Sequence, residues 1–159
     1  MPAYLERMPA GTPGDVSRKA QSVLEPVRLA EDIAFGGVIQ LNASGEAVNL
    51  YDDTKPVYGI LARPYPTQSA LEADNALGAT GKGKAGTIQD ALRSGYMTVR
   101  VSPAEGTKPI KGTPVKVVFA ASGSYAKGDY AVTQGKEIPG CTYMGEPDAS
   151  GNTEIAFNI

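Results

Sequence analysis

The sequence contains no histidine, no tryptophan and a single cysteine. Without histidine the commonest general base is missing, along with the Ser-His and Cys-His nucleophile pairs and all His metal sites. Cys141 stands alone, so it closes no disulfide within the chain and supports no Cys-rich zinc site. It reads as a small, half-buried strand residue, because a reactive thiol wants a neighbouring base and none is offered. No apolar run approaches the roughly 20 residues of a membrane span. The opening stretch MPAYLERMPAGTPGD lacks the apolar centre of a signal peptide. Basic residues number 15 and acidic residues 17, with no basic block. A nucleic-acid partner would therefore have no electrostatic footprint to bind. No cofactor is implied.

What the chain does have is glycine (19), proline (12) and tyrosine (8) spread along its 159 residues. Long amphipathic helices are absent, and short runs of period-two alternation sit between turn residues, which is an all-β signature. Strands are expected in SVLEPVRLA (22–30), FGGVIQLN (35–42), EAVNLY (46–51), PVYGILARPY (56–65), YMTVRVS (96–102), TPVKVVFAA (113–121), GDYAVTQ (128–134), GCTYMGE (140–146) and NTEIAFNI (152–159). Pro26 suggests that the first lies at an edge or a bulge. In YMTVRVS, Met97, Val99 and Val101 should share one face. The stretches LNASGEAV (41–48) and PDASGNTEI (147–155) repeat an Asx-Ala-Ser-Gly turn, a weak hint of internal duplication.

Two regions depart from this pattern. Residues 1–21 carry Pro2, Pro9, Gly11 and Pro13 and hold no period, so they read as an extended arm ahead of a single β domain, 22–159. Tyr4, Leu5 and Met8 are too apolar for a solvated tail and are candidate partner contacts. Residues 66–95 form a long excursion, and such connections are usually functional or disordered. TQSALEADNAL reads as a short helix. In TIQDALRSG, Ile88, Ala91 and Leu92 fall at helical spacing, with Thr87 placed as N-cap and Gly95 just past the end.

Between them lies GATGKGKA (78–85), which matches most of a phosphate-binding loop. Gly78, Gly83 and Lys84 fit, but Ala85 stands where a Ser or Thr hydroxyl would hold Mg²⁺. No Val/Ile strand leads in, and only about two helical turns could follow. A mobile Gly/Lys loop is the better reading, and Lys82 and Lys84 join the candidate partner contacts. Paired carboxylates occur at Glu31/Asp32 and Asp52/Asp53, but both pairs sit among turn residues and read as solvated surface. The parts of an enzyme are missing.

The proline-rich arm, EDIAFGGVIQLNASGEAVNLYDDTKPVYGILAR with its hydrophobic-Gly-hydrophobic strand VYGILA, SYAKGDYAVT and the closing NTEIAFNI together resemble phage capsid cement, or decoration, proteins. The resemblance spans residues 20–65 and 94–159. It implies a small β-barrel or jelly-roll-like sandwich on the outside of an icosahedral shell, where it ties major capsid subunits together in the virion after synthesis in the host cytoplasm. It supplies no catalytic residue. Many weak contacts repeated on a lattice give avidity, and a net charge of −2 lets copies crowd with little repulsion. A homo-oligomer fits, with a trimer preferred over a dimer. The alternatives are a carbohydrate-binding or adhesin-like β module, which the lack of Trp platforms disfavours, and another tail or fibre component. The alternation of NTEIAFNI puts Ile155, Phe157 and Ile159 on one inward face. Phe157→Ala should therefore cost about 3–5 kcal/mol in thermal unfolding, and an unchanged midpoint would show the strand wrongly assigned.

Overall fold

The computed structural model describes residues 11–64 and 81–159. Within them lie a 3₁₀ turn (Lys19–Gln21) and eleven strands: β1 (Val23–Arg28), β2 (Ile33–Ala34), β3 (Val38–Leu41), β4 (Ala47–Asn49), β5 (Gly59–Leu61), β6 (Lys82–Gly83), β7 (Ile88–Arg100), β8 (Pro114–Val117), β9 (Tyr130–Ala131), β10 (Lys136–Tyr143) and β11 (Asn152–Phe157). Nine of them form one sheet in the order β4-β3-β5-β7-β11-β10-β8-β9, with β1 also on β7. The sheet curls into a half-barrel, so the all-β expectation holds. β2 and β6 pair separately.

β7 organises the sheet. Its first half pairs with both β1 and β5, so Leu92 lies opposite Leu24 on one strand and Ile60 on the other. Its second half pairs with β11 from Arg100 to Gly95. Gly95 sits between the halves with φ +138°, and a side chain there would collide with Ser22. Only glycine meets both demands.

The residues expected to form a helix in TIQDALRSG are instead the first half of β7. The physical reason is burial on both faces. Leu92 packs into the main core with Val38, Ile60, Met97, Ile155 and Phe157, whereas Ala91 packs into a second core with Val27, Leu29, Ile39 and Leu61. A strand between two cores carries adjacent apolar residues, and over a short window that mimics helical spacing. Thr87 and Gly95 thus serve as a turn residue and a strand hinge, not as helix caps.

The described part of the expected arm is tied to the sheet. Gly14 N–H donates to Thr98 O (2.9 Å), Thr98 N–H to Asp15 O (2.9 Å) and Ser17 N–H to Tyr96 O (3.1 Å). Arg63 N–H donates to Gly14 O (2.8 Å), so the same segment also holds the end of β5. Residues 14–17 are thus joined to the sheet by backbone hydrogen bonds. These residues lie over Thr98, which explains why that threonine is fully buried although it alternates with Met97 and Val99.

The two Asx-Ala-Ser-Gly stretches form the same turn. Asn42 Oδ1 accepts from Ser44 and Glu46 N–H at 2.9 and 3.0 Å, and Asp148 Oδ1 accepts from Ser150 and Asn152 N–H at 2.8 and 3.0 Å. The likeness ends there. β3 pairs with two strands that follow it, β4 and β5, whereas β10 pairs with β11 after it and β8 before it. Phe157 is buried as expected, but Ile159 is 68% exposed because the chain turns away at Asn158 (φ +52°).

Two polar groups tie β9 and the residues after it to other parts of the body. Buried Tyr130, on β9 at one end of the strand order, donates its hydroxyl to Gly36 O beside β3 near the other end. Glu105 accepts from Val132 N–H (2.8 Å), Thr133 N–H (2.9 Å) and Thr107 N–H (3.1 Å). Burial alone would raise this carboxyl, but the N–H donors outweigh it and hold its pKa below the usual range. Tyr130→Phe leaves a buried carbonyl without its donor and should cost about 1–3 kcal/mol in chemical denaturation. Because Glu105 is depressed in the folded state, its stabilisation is complete above the unfolded value of about 4.3 and is lost as pH falls through the lower folded value. Melting temperatures measured from pH 7 down to 3 should fall less steeply for Glu105→Gln than for the native chain, and parallel curves would show that this carboxylate carries no acid sensitivity.

Candidate interaction surface

Of the candidate contact residues, Tyr4, Leu5 and Met8 lie outside the described residues, and Lys82 and Lys84 are exposed on and beside β6. The Gly/Lys segment is not a loose loop from Gly81 on. Phe35 N–H donates to Gly81 O (2.8 Å), Gly86 N–H to Leu29 O (2.7 Å), and β6 pairs with β2. Ala85 N–H, which a phosphate cradle would need, donates to Asp32 Oδ1 (2.9 Å). A carboxylate thus occupies the anion position, and a strand, not a helix, follows.

The other acidic candidates also serve the backbone. Glu31 Oε1 accepts from Asn49 N–H (2.6 Å). Asp52 Oδ1 accepts from the hydroxyl (2.6 Å) and N–H (2.9 Å) of Thr54, and these two bonds lower its pKa. Among the described residues no group of three or more His, Cys, Asp or Glu side chains could hold a metal ion. Cys141 is fully buried, not half-buried, and burial pushes its thiol up to about 12, far from thiolate chemistry.

The outer surface carries a repeated device. Arg18 lies 4.1 Å over the Tyr96 ring and pairs with Glu154 (2.9 Å). Arg93 lies 3.9 Å over the Tyr58 ring and pairs with Glu25 (3.3 Å), which also accepts from Tyr58 OH (2.6 Å). Each joins separate chain segments through a cation on an aromatic face and a carboxylate. A third tyrosine, Tyr51, is 47% exposed, with Lys55 over its ring at 4.6 Å. Exposed apolar side chains include Val23 and Leu24 on β1, Ile88 at the start of β7, and Ile110. Sequence reasoning missed Tyr51 and Gln40 beneath it. The available signal was a polar residue inside the apolar run VIQL.

With this geometry in view, comparison with known proteins is informative. The model of the structural cement protein family (E217 gp24/Pam3 gp6) matches residues 2–158. Among solved structures, a chain of the capsid of Myoviridae phage XM1 is similar in fold, with a TM-score of 0.64 at 18% identity, covering 98% of this chain and 95% of that one. No curated protein matches. A family match over almost the whole chain, on an all-β body, assigns it plainly: the chain belongs to the structural cement proteins, capsid-stabilising structural components of the phage virion.

Proposed function

We propose that the protein sits on the outer surface of an icosahedral capsid, joins neighbouring major capsid subunits, and does so without catalysis or a cofactor. It is made in the host cytoplasm and acts as a homo-oligomer, with a trimer favoured over a dimer. The observation that carries this reading is the anchoring of the chain on β7 from Gly14 to Ser17. Tyr4, Leu5 and Met8 lie shortly ahead of this anchored segment in the sequence. Ten residues of fully extended chain span at most on the order of 35 Å.

The energetics favour a tethered arm over a free one. Each apolar anchor gains roughly 1.5–3 kcal/mol on full burial, while each residue ordered costs about 1–2 kcal/mol. The arm alone would bind weakly. Body contacts, with Lys82 and Lys84 among them, raise the arm's local concentration at its target, and repetition over the lattice multiplies the effect. Deleting residues 2–9 leaves the β7 ladder intact, so the melting temperature should stay unchanged. Co-sedimentation with cement-free capsids should weaken at least tenfold, equivalent to about 1.4 kcal/mol. Full binding by the truncated chain would remove the arm from the interface.

A further inference from the structure

Between β7 and β8 the chain makes a loop whose far side, 108–113, is held by its backbone. Glu105 fixes the near side: one carboxylate oxygen accepts from Val132 and Thr133 N–H, the other from Thr107 N–H. Pro109 is buried. Ile110 then closes a turn with Thr113, donating its N–H to Thr113 Oγ1 (3.2 Å) and accepting from Thr113 N–H (3.0 Å). Gly112, at φ +89°, takes the turn position that favours glycine. Its N–H donates to Tyr143 O (2.8 Å), and Tyr143 N–H donates to Thr113 O (2.8 Å), which fastens the turn to a fully buried residue of β10. With its own N–H and C=O both engaged and Pro109 buried beside it, Ile110 holds its side chain outward at 62% exposure.

Lys108 and Lys111 flank Ile110, and both are exposed. Among the described residues neither ammonium takes part in a salt bridge or lies over an aromatic ring. A lone exposed isoleucine is ordinary on a protein surface. This one stands between two unpaired cations on a turn of fixed backbone, in a chain of net charge −2. The positive charge is therefore local, and its complement is a surface that sets carboxylates around an apolar recess. Nucleic-acid phosphates would use the two ammonium groups but leave Ile110 in water. The same end of the sheet carries Gly11, whose carbonyl accepts from Asn152 Nδ2 (3.1 Å) where β11 starts beside Arg100 of β7. The turn and the attachment point of the arm thus share one end of the body, as a single docking face requires. We infer that turn 108–113 docks on a neighbouring capsid subunit, with Ile110 in an apolar recess and Lys108 and Lys111 against carboxylates on its rim. An apolar centre inside a charged rim is ordinary interface anatomy, and the fixed backbone lowers the entropy lost on binding. This rests on the capsid-attachment reading and names the chemistry of one contact within it.

The test uses the full chain and cement-free capsids of the same phage, co-sedimented over a series of salt concentrations. Lys108→Glu/Lys111→Glu should bind at least tenfold more weakly, and Lys108→Gln/Lys111→Gln should flatten the salt dependence. Ile110→Ser should weaken binding roughly fivefold or more while keeping the salt dependence. All three positions are exposed, so melting temperatures should not move. A short DNA duplex is the polyanion probe and should not bind. Saturable binding of that duplex, lost on charge reversal, overturns the protein recess as the occupant. Weaker binding on charge reversal with Ile110→Ser undiminished overturns the apolar recess. Native chain that binds, with every variant binding equally well, overturns this inference alone. Native chain that fails to sediment with capsids overturns the attachment reading and this inference together.

Discussion

The body depends on one strand having partners along its whole length. β7 runs for thirteen residues, and its backbone is shared among β1, β5, β11 and the segment 14–17. A strand this long cannot stay straight inside a small curled sheet. Gly95 is the place where it yields, and the collision that any side chain would have with Ser22 ties the hinge to the chain that crosses it. Replacing that glycine would misalign two sets of ladders at once, since Leu92 and Met97 both lie between paired neighbours.

Because β7 is central, it also divides the interior. The sheet of β3, β5 and β7 has a main core on one face and a smaller one on the other, as the adjacent pairs Val38/Ile39, Ile60/Leu61 and Ala91/Leu92 record. This explains which parts of the fold were legible in the sequence. Strands with one buried face, such as Met97–Val101 and Ile155–Phe157, announce themselves by alternation. Strands with two buried faces do not, and TIQDALRSG accordingly reads as a helix. The turn residues were legible because Asn42 and Asp148 act on their own local backbone. The burial of Thr98 was not, because it comes from a segment more than eighty residues earlier in the chain. Tyr4, Leu5, Met8, Lys82 and Lys84 were picked out by composition, whereas Gln40 and Tyr51 become visible only when the backbone partners of the amide are known.

Buried polar side chains in this protein mostly answer to loops. Gln40 holds 51–55, Thr153 donates to Gly145 O (2.8 Å), and Ser102 donates to Asp129 (2.7 Å), whose carboxylate also accepts from Ala126 N–H (3.0 Å). A thin sheet can stabilise itself with apolar packing alone, but apolar contacts are non-directional and leave loop shape open. Hydrogen bonds from the core to loop backbone specify that shape. For a protein whose work is to match a fixed neighbouring surface, loop shape is the property that matters.

The same commitments fix the charge states of the groups that looked reactive in the sequence. The carboxylates that looked available in the sequence are largely occupied by backbone N–H groups, as at Glu31, Asp32 and Asp52. Burial raises the Cys141 thiol and the Tyr130 and Tyr143 hydroxyls away from their ionised forms. Groups tuned in this way hold one geometry and resist changing charge, the opposite of what proton transfer or nucleophilic attack requires. They suit a component that must keep its shape while many modest contacts act in parallel. On a lattice each such contact can be weak, because rigidity lets its copies engage together without paying again for ordering.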